Sequence, residues 1–351
     1  MSKIDLGVIF GGQSTEHDVS VMSGMSVVEH LNSEKYNVFP IYIDKDGIWY
    51  EYKETNDVVD EEELTIKVFS KVKIKNIITY LKKLDVVFPV LHGKFGEDGS
   101  IQGMLEMFKI PYVGCGVLAS SLGMDKIYTK VILEKARINQ AKYCYIKVKN
   151  DEYYYIEEDF EETKTDIKEI NKKIKEKLKY PVFVKPSNSG SSIGISKVKN
   201  KKELEIAIKE ASKYDSKILI EEYIKGKEIE CAVLEKDDVI ASCTGEIKPA
   251  EEYYTYNAKY NNKESKLKIP SGIACEEEIK KLAIKAFRTI DGKGLARVDF
   301  FVTDDGKIYL NEINTMPGFT AISMYPKLFE AIGMNYTEIL DYLIDTSIKL
   351  L

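Results

Sequence analysis

The sequence predicts a protein of mixed α/β and α+β class with two or three domains, on three observations. With 351 residues, the chain is too long for one average domain. Residues 3–10 form an apolar, strand-like run followed by Gly11-Gly12 and a helical pattern over 19–31, which is typical of the opening of an α/β unit. Near the other end, two β-rich runs at 298–303 and 308–313 flank a turn, which predicts an antiparallel hairpin.

The composition is that of a globular protein and excludes several classes. Hydrophobic residues make up 44% and charged residues 31%, and the net charge is −6. We therefore expect no nucleic-acid partner. The apolar runs are too short to cross a membrane, so we expect no membrane association either. Five scattered cysteines, never in a CxxC spacing, predict free thiols in a reducing cytoplasm.

The first region carries two loops that could contact a substrate. Further strands are predicted at 36–42 and 85–91, and parallel sheets bind ligands at the carboxyl ends of their strands. Glu16 and His17 follow the first strand, where a solvated loop is an equally good interpretation. His92 follows the strand at 85–91 and opens a loop with three glycines, whose backbone can approach a ligand closely.

The following part of the chain contains three predicted helices and the first domain boundary. Helices are predicted at 100–108, around 123–126 and at 160–178. The glycine-broken passage 111–116 marks the end of the first domain. The helix at 160–178 carries interspersed opposite charges, which indicates a solvated face.

A second strong motif couples a strand to a loop rich in glycine and serine. The strand at 182–184 leads to Lys185, and the loop 187–194 follows. Small residues let backbone N–H groups point at phosphate oxygens, and the lysine adds a positive charge. The Walker A pattern GxxxxGK[ST] is absent. A flexible linker is the alternative, although the loop is short and lies between strands at 182–184 and 193–198 that predict a hairpin.

The remaining patterns predict a further sheet with flanking helices. Helices are predicted at 201–214, 276–290 and 335–350, and strands at 217–222, 230–234 and 239–247. The segment 251–260 is aromatic and polar and has no helical period. It is either a tyrosine-lined loop that folds over a site or an ordinary surface loop.

The C-terminal hairpin carries candidate metal ligands. Residues on either side of an antiparallel turn face each other, so Asp299 is expected near Glu312 and Asn314. Arg297 lies two residues before Asp299 on the same face. Three hard oxygen ligands beside a guanidinium suit a divalent ion bound to a polyphosphate. A plain hairpin with solvated acids is the alternative, and it is the one we adopt for the acids of the turn itself.

Taken in order, these motifs resemble one family. They comprise residues 11–17, 92–99, 124–126, 185–194, 297–299 and 311–318. Together they resemble the D-alanine–D-alanine ligases of the ATP-grasp superfamily over nearly the whole chain. The resemblance implies a three-domain ATP-grasp enzyme with an N-terminal parallel-sheet domain and ATP held between two antiparallel sheets. We place the domains at 1–121, 122–225 and 226–351.

The implied reaction joins two D-alanines through a D-alanyl phosphate at the expense of ATP, for peptidoglycan synthesis. Asp299, Glu312 and Asn314 would hold two Mg²⁺ or Mn²⁺ ions. Contacts with ATP are implied for Lys126, Lys185, Ser191, Ser192, Glu221, Glu222, Tyr223, Ile224, Glu228, Lys259 and Phe301. Activation by a monovalent cation such as K⁺ and assembly as a homodimer are further expectations.

The resemblance also implies residues for the two amino acids. They are Glu16, His92, Ser191, Tyr260, Arg297, Gly318, Ser323 and Met324. Glu16 would hold the ammonium of the first D-alanine and connect through Ser191 to Tyr260 of the lid, and His92 would lie near the carboxylate.

Three of these residues would serve the later steps. Arg297 would steady the transferring phosphoryl group and the tetrahedral oxyanion, and the backbone N–H of Gly318 would help. Ser323 would hold the carboxylate of the second substrate.

The sequence departs from the family at two places. Glu222 stands where many relatives have lysine, and residues 253–256 read Tyr-Tyr-Thr-Tyr where the lid motif usually reads Phe-Tyr-Asp-Tyr. These departures affect the expected adenine contact and the hydrogen bonds of the lid.

Ligases of the vancomycin-resistance type, which make D-alanine–D-serine or D-alanine–D-lactate, are the nearest alternatives. Tyr260 stands where lactate ligases tend to carry histidine, and apolar Met324 suits a methyl group better than a hydroxymethyl group. A non-catalytic nucleotide-binding regulator is a remote alternative, since the motif's metal ligands and phosphate lysines are all present. An oxidoreductase would need a dinucleotide fingerprint, which the sequence lacks.

Overall fold

A mixed N-terminal sheet is the first of three larger sheets in the computed structural model, which describes residues 2–52, 59–60, 65–66, 71–248 and 266–349. Its strands, in spatial order, are Lys71–Lys73, Trp49–Tyr52, Tyr36–Ile43, Ile4–Gly11 and Val86–Pro89. Ile4–Gly11 runs parallel to both of its neighbours, whereas Trp49–Tyr52 pairs antiparallel with Tyr36–Ile43 and with Lys71–Lys73. The predicted parallel sheet is confirmed at its centre, and the loops at Glu16 and His92 follow strands that end at the same edge. A separate short pair joins Val59–Asp60 to Thr65–Ile66.

The second sheet is antiparallel throughout. Its strands, in spatial order, are Glu162–Thr165, Glu152–Ile156, Tyr143–Lys149, Lys217–Glu222, Val182–Pro186 and Ser196–Val198. Val182 pairs with Val198, so the hairpin predicted around the glycine- and serine-rich loop is confirmed. The loop therefore lies at the end of a buried strand and not in a linker.

The third sheet is also antiparallel and contains the C-terminal hairpin. Its strands, in spatial order, are Lys266–Lys268, Val239–Lys248, Lys227–Glu235, Leu295–Val302 and Ile308–Asn314. The register pairs Arg297 with Asn314 and Asp299 with Glu312, as the position of the turn predicted. A register irregularity follows Asp299, where β-bulges commonly re-aim side chains next to a site.

Helices cover the outer faces of these sheets. In the described residues they are His17–His30, Ile77–Leu81, Ser100–Met107, Val117–Met124, Lys126–Lys135, Ile167–Lys177, Lys201–Ala211, Glu276–Thr289, Met324–Glu330 and Tyr336–Lys349. Helix Glu276–Thr289 packs Ile279, Ala283 and Phe287 against the third sheet, as its apolar spacing predicted. No described helix is long and apolar enough to span a membrane.

The C-terminal helix packs against the N-terminal region. The ring of Tyr336 stacks on His30 with centroids 4.2 Å apart, and the hydroxyl of Tyr36 donates to Asp341 at 2.7 Å. Residues of this helix share one hydrophobic cluster with the first sheet and with the back of the third. The C-terminal helix therefore holds the first and third sheets together.

Two helix predictions are wrong in their bounds. The helix expected at 160–178 begins only at Ile167, because Asp166 caps it by accepting from the N–H groups of Lys168 and Glu169. The preceding residues form the strand Glu162–Thr165, which pairs with Glu152–Ile156. The helix expected around 123–126 is a junction, at which one helix ends at Met124 and another begins at Lys126.

Candidate active site

One cleft of about 990 Å³ opens between the three sheets. Its walls contain almost all of the described residues to which the sequence analysis gave a role, from Glu16 in the first region to Met324 near the C-terminus. Asp299 and His17 are the exceptions. Asp299 lies behind Arg297, to which it is bonded, and His17 is buried with its Nδ1 2.5 Å from the carbonyl oxygen of Gly12. Lys259 and Tyr260, with the rest of the predicted lid, lie outside the described residues. The structure thus brings the scattered motifs to one place.

A network of charges around Arg297 forms the floor of this cleft. Arg297 donates from Nε and a terminal nitrogen to the two carboxylate oxygens of Asp299, both at 2.8 Å. Its Nε also lies 3.1 Å from a carboxylate oxygen of Glu230, and Asn314 donates to Asp299 at 3.0 Å. Although burial alone would lower the pKa of Arg297, the carboxylates of Asp299 and Glu230 raise it well above its ordinary value. The guanidinium is therefore permanently charged and fixed in orientation.

The hairpin offers a donor set that suits a hard divalent cation. No cluster of three histidine, cysteine, aspartate or glutamate side chains suited to a metal occurs within the described ranges. The set here is two carboxylates, Asp299 and Glu312, with the amide oxygen of Asn314, and the register places all three on neighbouring positions. Each carboxylate oxygen carries two lone pairs, so Asp299 can serve Arg297 and a metal together. The residues present therefore fit a magnesium-type ion.

A buried cluster of two lysines and one glutamate forms part of the opposite wall. Lys185 bonds one carboxylate oxygen of Glu221, and Lys130 lies 2.9 Å from the other. Burial would raise the pKa of Glu221, but the positive charges of Lys130 and Lys185 outweigh it and lower the pKa to about 2. Glu221 is thus an ionised carboxylate inside the protein.

The glycine- and serine-rich loop joins this wall to the first region. The hydroxyl of Ser191 donates to the carboxylate of Glu16. A Cβ atom added at Gly190 would lie 2.5 Å from Glu16 Oε2, so a larger residue there would collide with the carboxylate. Ser191 and Ser192 adopt left-handed backbone angles, with φ of 49° and 59°. This conformation turns the loop back over the cleft.

Lys126 is anchored beneath the same loop. Its Nζ donates to the carbonyl of Ser189 at 2.6 Å and lies 3.9 Å from a carboxylate oxygen of Glu312. Asp125 caps the Lys126 helix and also accepts from the hydroxyl of Ser187 at 2.5 Å. The helix end and the loop are therefore held together by one buried carboxylate.

His92 lies at the mouth of the first-region loop and is 4% exposed. Its Nδ1 is 3.1 Å from the carbonyl of Met316, so Nδ1 carries the proton, and Nε2 is 2.9 Å from the hydroxyl of Ser23. Burial lowers the pKa of His92, which keeps the ring neutral. Both ring nitrogens already have protein partners. This arrangement favours a role in which His92 positions the Met316 backbone, in addition to the contact with a substrate carboxylate that the sequence analysis predicted.

Glu97 is a half-buried carboxyl group that lines the cleft and that the sequence analysis left without a role. It accepts from the backbone N–H of Gly93 at 2.6 Å and of Met316 at 3.3 Å. Burial and the nearby charge of Glu16 raise the pKa of Glu97 to about 8. Glu97 therefore ties the first-region loop to the segment after the hairpin.

The segment after the hairpin forms the far end of the cleft. The hydroxyl of Ser323 accepts from the backbone N–H of Thr320 at 3.0 Å, and a Cβ at Gly318 would lie 2.8 Å from Ser323 Oγ. Met324 is 5% exposed and belongs to the hydrophobic cluster shared with the C-terminal helix. This end therefore combines a hydroxyl, a backbone segment with little space for side chains and an apolar surface.

The other end of the cleft is formed by the second-sheet strand and by Phe301. The backbone N–H of Lys142 donates to Glu222 at 3.1 Å, which holds that side chain at the strand edge. Lys197 lies 3.7 Å from the ring centroid of Tyr223. Glu228 is the register partner of Phe301 on the third sheet. An apolar ring and a carboxylate thus lie side by side here.

Lys130, Glu97 and Asp125 were given no role from sequence, although Lys130 and Asp125 are buried at this site and Glu97 is half-buried in it. Lys130 lies four residues after Lys126 on one helix, so helical spacing could have placed both on one face. Glu97 lies within the glycine loop that was singled out. Asp125 precedes a helix start, which is the signature of an N-cap. The partner of Lys130, Glu221, is 91 positions away and gives no local signal.

Two family models match the chain. The model described as D-ala D-ala ligase N-terminus covers residues 5–115, and the one described as D-ala D-ala ligase C-terminus covers residues 132–345. Together they account for most of the chain, including the three sheets that form the cleft.

Curated relatives and solved structures match over nearly the full length. D-alanine–D-alanine ligase of Acetivibrio thermocellus is 49% identical, with 97% of this chain and 95% of the relative aligned. That of Clostridium acetobutylicum is 47% identical over 98% and 97%. Among solved structures, VanG D-Ala:D-Ser ligase from Enterococcus faecalis has a TM-score of 0.81 at 36% identity, covering 99% of this chain and 100% of that one. D-alanine-D-alanine ligase from Coxiella burnetii has a TM-score of 0.79 at 31% identity over 100% and 95%.

Proposed function

This chain belongs to the D-alanine–D-alanine ligase family, and on that premise we propose how its cleft joins two D-alanine molecules. It is an ATP-dependent ligase that forms D-alanyl-D-alanine for cell-wall synthesis. One observation carries the proposal: the relatives that share nearly half of its residues over almost its whole length have this activity in their names.

The chemistry requires activation of a carboxylate, which is a poor electrophile. The first D-alanine carboxylate oxygen attacks the γ-phosphorus of ATP, the bond to the β–γ bridging oxygen breaks, and ADP leaves. The resulting D-alanyl phosphate is then attacked by the neutral amine of the second D-alanine. Loss of inorganic phosphate and of a proton from the amine completes the peptide bond. Catalysis of this kind depends on positioning and on neutralisation of charge.

At the phosphoryl end, the proposed roles follow the fixed charges of the third sheet. Arg297 faces the transferring group with a guanidinium whose orientation Asp299 sets. Lys126 and Lys185 neutralise phosphate charge from the opposite side, with Ser191 and Ser192 in the loop that covers them. The proposed nucleotide contacts of Glu221, Glu222, Tyr223, Ile224, Glu228 and Phe301 occupy the other end of the cleft.

Asp299, Glu312 and Asn314 would hold the divalent metal on which the family depends, and the proposed ions are two Mg²⁺ or Mn²⁺. Bound there, the metal would neutralise charge on the phosphate oxygens. The positive charge of Lys126 lies 3.9 Å from the carboxylate of Glu312 and would add to the neutralisation of phosphate charge beside the metal. Activation by K⁺ is a further proposal.

At the amino-acid end, Glu16 is proposed to hold the ammonium of the first D-alanine. Ser191 orients this carboxylate by donating to it. The neutral ring of His92 supports the Met316 backbone that leads to Gly318. The N–H of Gly318 would stabilise the tetrahedral oxyanion together with Arg297, and Ser323 would hold the second carboxylate.

D-alanine is the second substrate that the relatives support. The curated relatives of 44–49% identity are named D-alanine–D-alanine ligases, whereas the D-Ala:D-Ser enzyme matches at 36%. Apolar, buried Met324 at that end is consistent with a methyl side chain. The alternatives with D-serine, D-lactate or a non-catalytic regulator are not favoured.

The domain division at 1–121, 122–225 and 226–351, a homodimeric assembly and a cytoplasmic location complete the proposal. Each described sheet falls within one of the three proposed domains, which supports the division. The C-terminal helix nevertheless packs against the first region, so the third domain would contribute to the stability of the first.

The test is release of inorganic phosphate from ATP by the purified protein. We expect turnover with D-alanine alone, with D-alanyl-D-alanine as product by mass spectrometry. D-serine or D-lactate added with D-alanine should yield little mixed product. Clear preference for a mixed pair would overturn the choice of second substrate, and no phosphate release with any pair would overturn the assignment as a ligase.

A further inference from the structure

Two buried lysines share one carboxylate at the wall of the cleft. Lys185 reaches Glu221 from the neighbouring strand, where its register partner is Leu219, and Lys130 reaches it from helix Lys126–Lys135. The exposed side-chain fractions are 3% for Lys130, 11% for Lys185 and 6% for Glu221. The cluster therefore has one more positive charge than it needs to neutralise the carboxylate.

The two lysines differ in what they can reach. Lys185 and Glu221 line the cleft, whereas Lys130 lies behind Glu221, with Nζ 3.4 Å from the carbonyl of Ala141 and 5.2 Å from the ring centroid of Tyr143. Lys185 can turn towards a phosphate group in the cleft, and Lys130 cannot. The lysine that is able to change partners is the one that faces the ligand.

Without Lys130, a movement of Lys185 from Glu221 to a phosphate group would leave the carboxylate of Glu221 without either lysine. A buried carboxylate that loses its last cation is strongly destabilised, or it takes up a proton instead. With Lys130 in place, Glu221 stays ionised and keeps a hydrogen bond when Lys185 leaves. The positive charge of Lys185 is therefore available to a bound anion, while Lys130 neutralises Glu221.

We propose that Lys130 is a positioning residue for the nucleotide: it holds Glu221 ionised and in place while Lys185 moves from Glu221 to the phosphates. This inference rests on the proposed function, because it takes ATP phosphates as the partner that attracts Lys185. Lys130 itself touches no substrate. Its contribution is to make nucleotide binding independent of a proton at Glu221.

Within the part of the chain that the structure describes, two lysines and one tyrosine flank Glu221. Lys130 and Lys185 act on its charge, and Tyr143 is its register partner on the next strand. The hydroxyl of Tyr143 donates to Glu134 and not to Glu221, and the pKa of Tyr143 is raised by burial. A proton taken up in this cluster on nucleotide binding would therefore be bound by Glu221.

The experiment measures protons taken up when ADP binds. Calorimetric titration of the full chain with ADP and Mg²⁺, in two buffers of different ionisation enthalpy, gives this number at pH 6.5, 7.5 and 8.5. K130M and K130Q both remove the charge, and only glutamine can keep a hydrogen bond to Glu221. K135M, an exposed position on the same helix, is the control.

We expect K130M and K130Q to take up as much as one proton more than the wild type and K135M at pH 7.5. Their KM for ATP should rise with pH relative to wild type, by at most about tenfold per pH unit, because proton uptake is linked to binding. Turnover at saturating ATP should change less than KM. K130R should restore wild-type behaviour, and the double variant K130M/E221Q should lose the extra proton.

The possible results separate the two proposals. If the wild type releases phosphate with D-alanine but K130M and K130Q take up no extra proton, the role of Lys130 is only structural and the inference is overturned. If the double variant still takes up the proton, Glu221 is not the group and the inference is equally overturned. If the wild type neither binds ADP nor releases phosphate, the proposed function fails first.

Discussion

The third sheet and the second sheet both line the cleft, but they hold their charged side chains differently. On the third sheet, Arg297 is bonded through two nitrogens to Asp299, contacts Glu230 as well, and is braced indirectly by Asn314. A guanidinium group that is bonded to several fixed partners is held in one orientation. This wall is organised before any ligand arrives.

The wall formed by the second sheet and helix Lys126–Lys135 carries its positive charges on lysine ammonium groups and not on a guanidinium with two bonds to one carboxylate. Lys185 meets one oxygen of Glu221, and Lys126 donates to one carbonyl of the loop 187–194. The loop itself is partly exposed and has left-handed residues at Ser191 and Ser192. A lysine ammonium on a flexible stem can change partners with little rearrangement. This wall can adapt to a ligand.

The difference fits the tasks proposed for the two walls. Groups that stabilise charge as it develops are most effective when they need no reorganisation. Groups that cover phosphates must also let the nucleotide enter and leave. Substitutions on the third sheet should therefore mainly reduce kcat. Substitutions on the wall formed by the second sheet should mainly raise KM.

The largest effect is expected from Glu312→Gln on the third sheet. Loss of one carboxylate from the donor set should lower kcat by about 10²- to 10³-fold, as removal of a preorganised charge does. Steady-state phosphate release across a magnesium titration measures it. Asp304→Asn, on the exposed turn of the same hairpin, is the matched control. Unchanged turnover in Glu312→Gln would show that the metal assignment is wrong.

A smaller effect is expected from Arg297→Lys. The charge remains, but the two parallel bonds to Asp299 cannot form, and hydrogen bonds to charged groups contribute about 1.5–3 kcal/mol. kcat/KM should fall about 10- to 100-fold. Arg288→Lys, at an exposed ion pair with Asp238, should leave it unchanged. Equal activity of both variants would contradict a preorganised third sheet.

On the adaptable wall, Ser191→Ala should act mainly through binding. It removes the hydrogen bond that orients Glu16, so KM for D-alanine should rise by about 5- to 30-fold while kcat changes less. Initial rates over a D-alanine series measure both constants, with Ser212→Ala as control. A fall in kcat without a rise in KM would remove the contrast between the walls.

The last prediction concerns stability and not activity, and involves Glu97, which joins the first region to the third sheet's hairpin segment. Its pKa of about 8 lies above the value of an unfolded glutamate, so the folded state holds this proton longer. Stability from this group is present below pH 4.5 and is lost as pH rises through 8, by up to about 1.4 kcal/mol per pH unit.

Glu97→Gln cannot titrate, so its unfolding free energy should fall less between pH 5 and 8.5 than that of the wild type. Urea denaturation at several pH values measures the two slopes. Identical slopes would show that Glu97 is ionised in the folded protein.

Local patterns predicted many of the helices and strands, including the hairpin that carries Arg297 and Asp299, but they missed the strands Tyr143–Lys149 and Glu152–Ile156 of the second sheet. The position of a tight turn fixes which residues face each other, so Asp299 opposite Glu312 could be deduced from sequence. The helix bounds at Ile167 were missed because the charged residues before Asp166 alternate on a strand, where Lys164 pairs with Glu152. Helical and strand charge patterns look alike over so short a run.

The deeper part of the site could not be predicted in this way. The bonds of Glu221 to Lys130 and of Glu97 to the Met316 backbone join residues far apart in the chain. Such pairs depend on how the sheets and helices pack, and no local pattern shows which two residues will meet. The resemblance to a family gave roles to residues that contact ligands, but it gave none to the residues that hold those in place.

The surroundings of the Glu16 carboxylate limit which substitutions the enzyme can accept next to the first amino acid. Its carboxylate is enclosed by two glycines from different regions, and a Cβ would lie 2.6 Å from it at Gly93 and 2.5 Å at Gly190. A side chain at either glycine would require the Glu16 carboxylate to move. Val19 and Met22 also line the cleft and are neighbouring positions at which a change of side chain would alter the surroundings of the first amino acid without a clash of this kind.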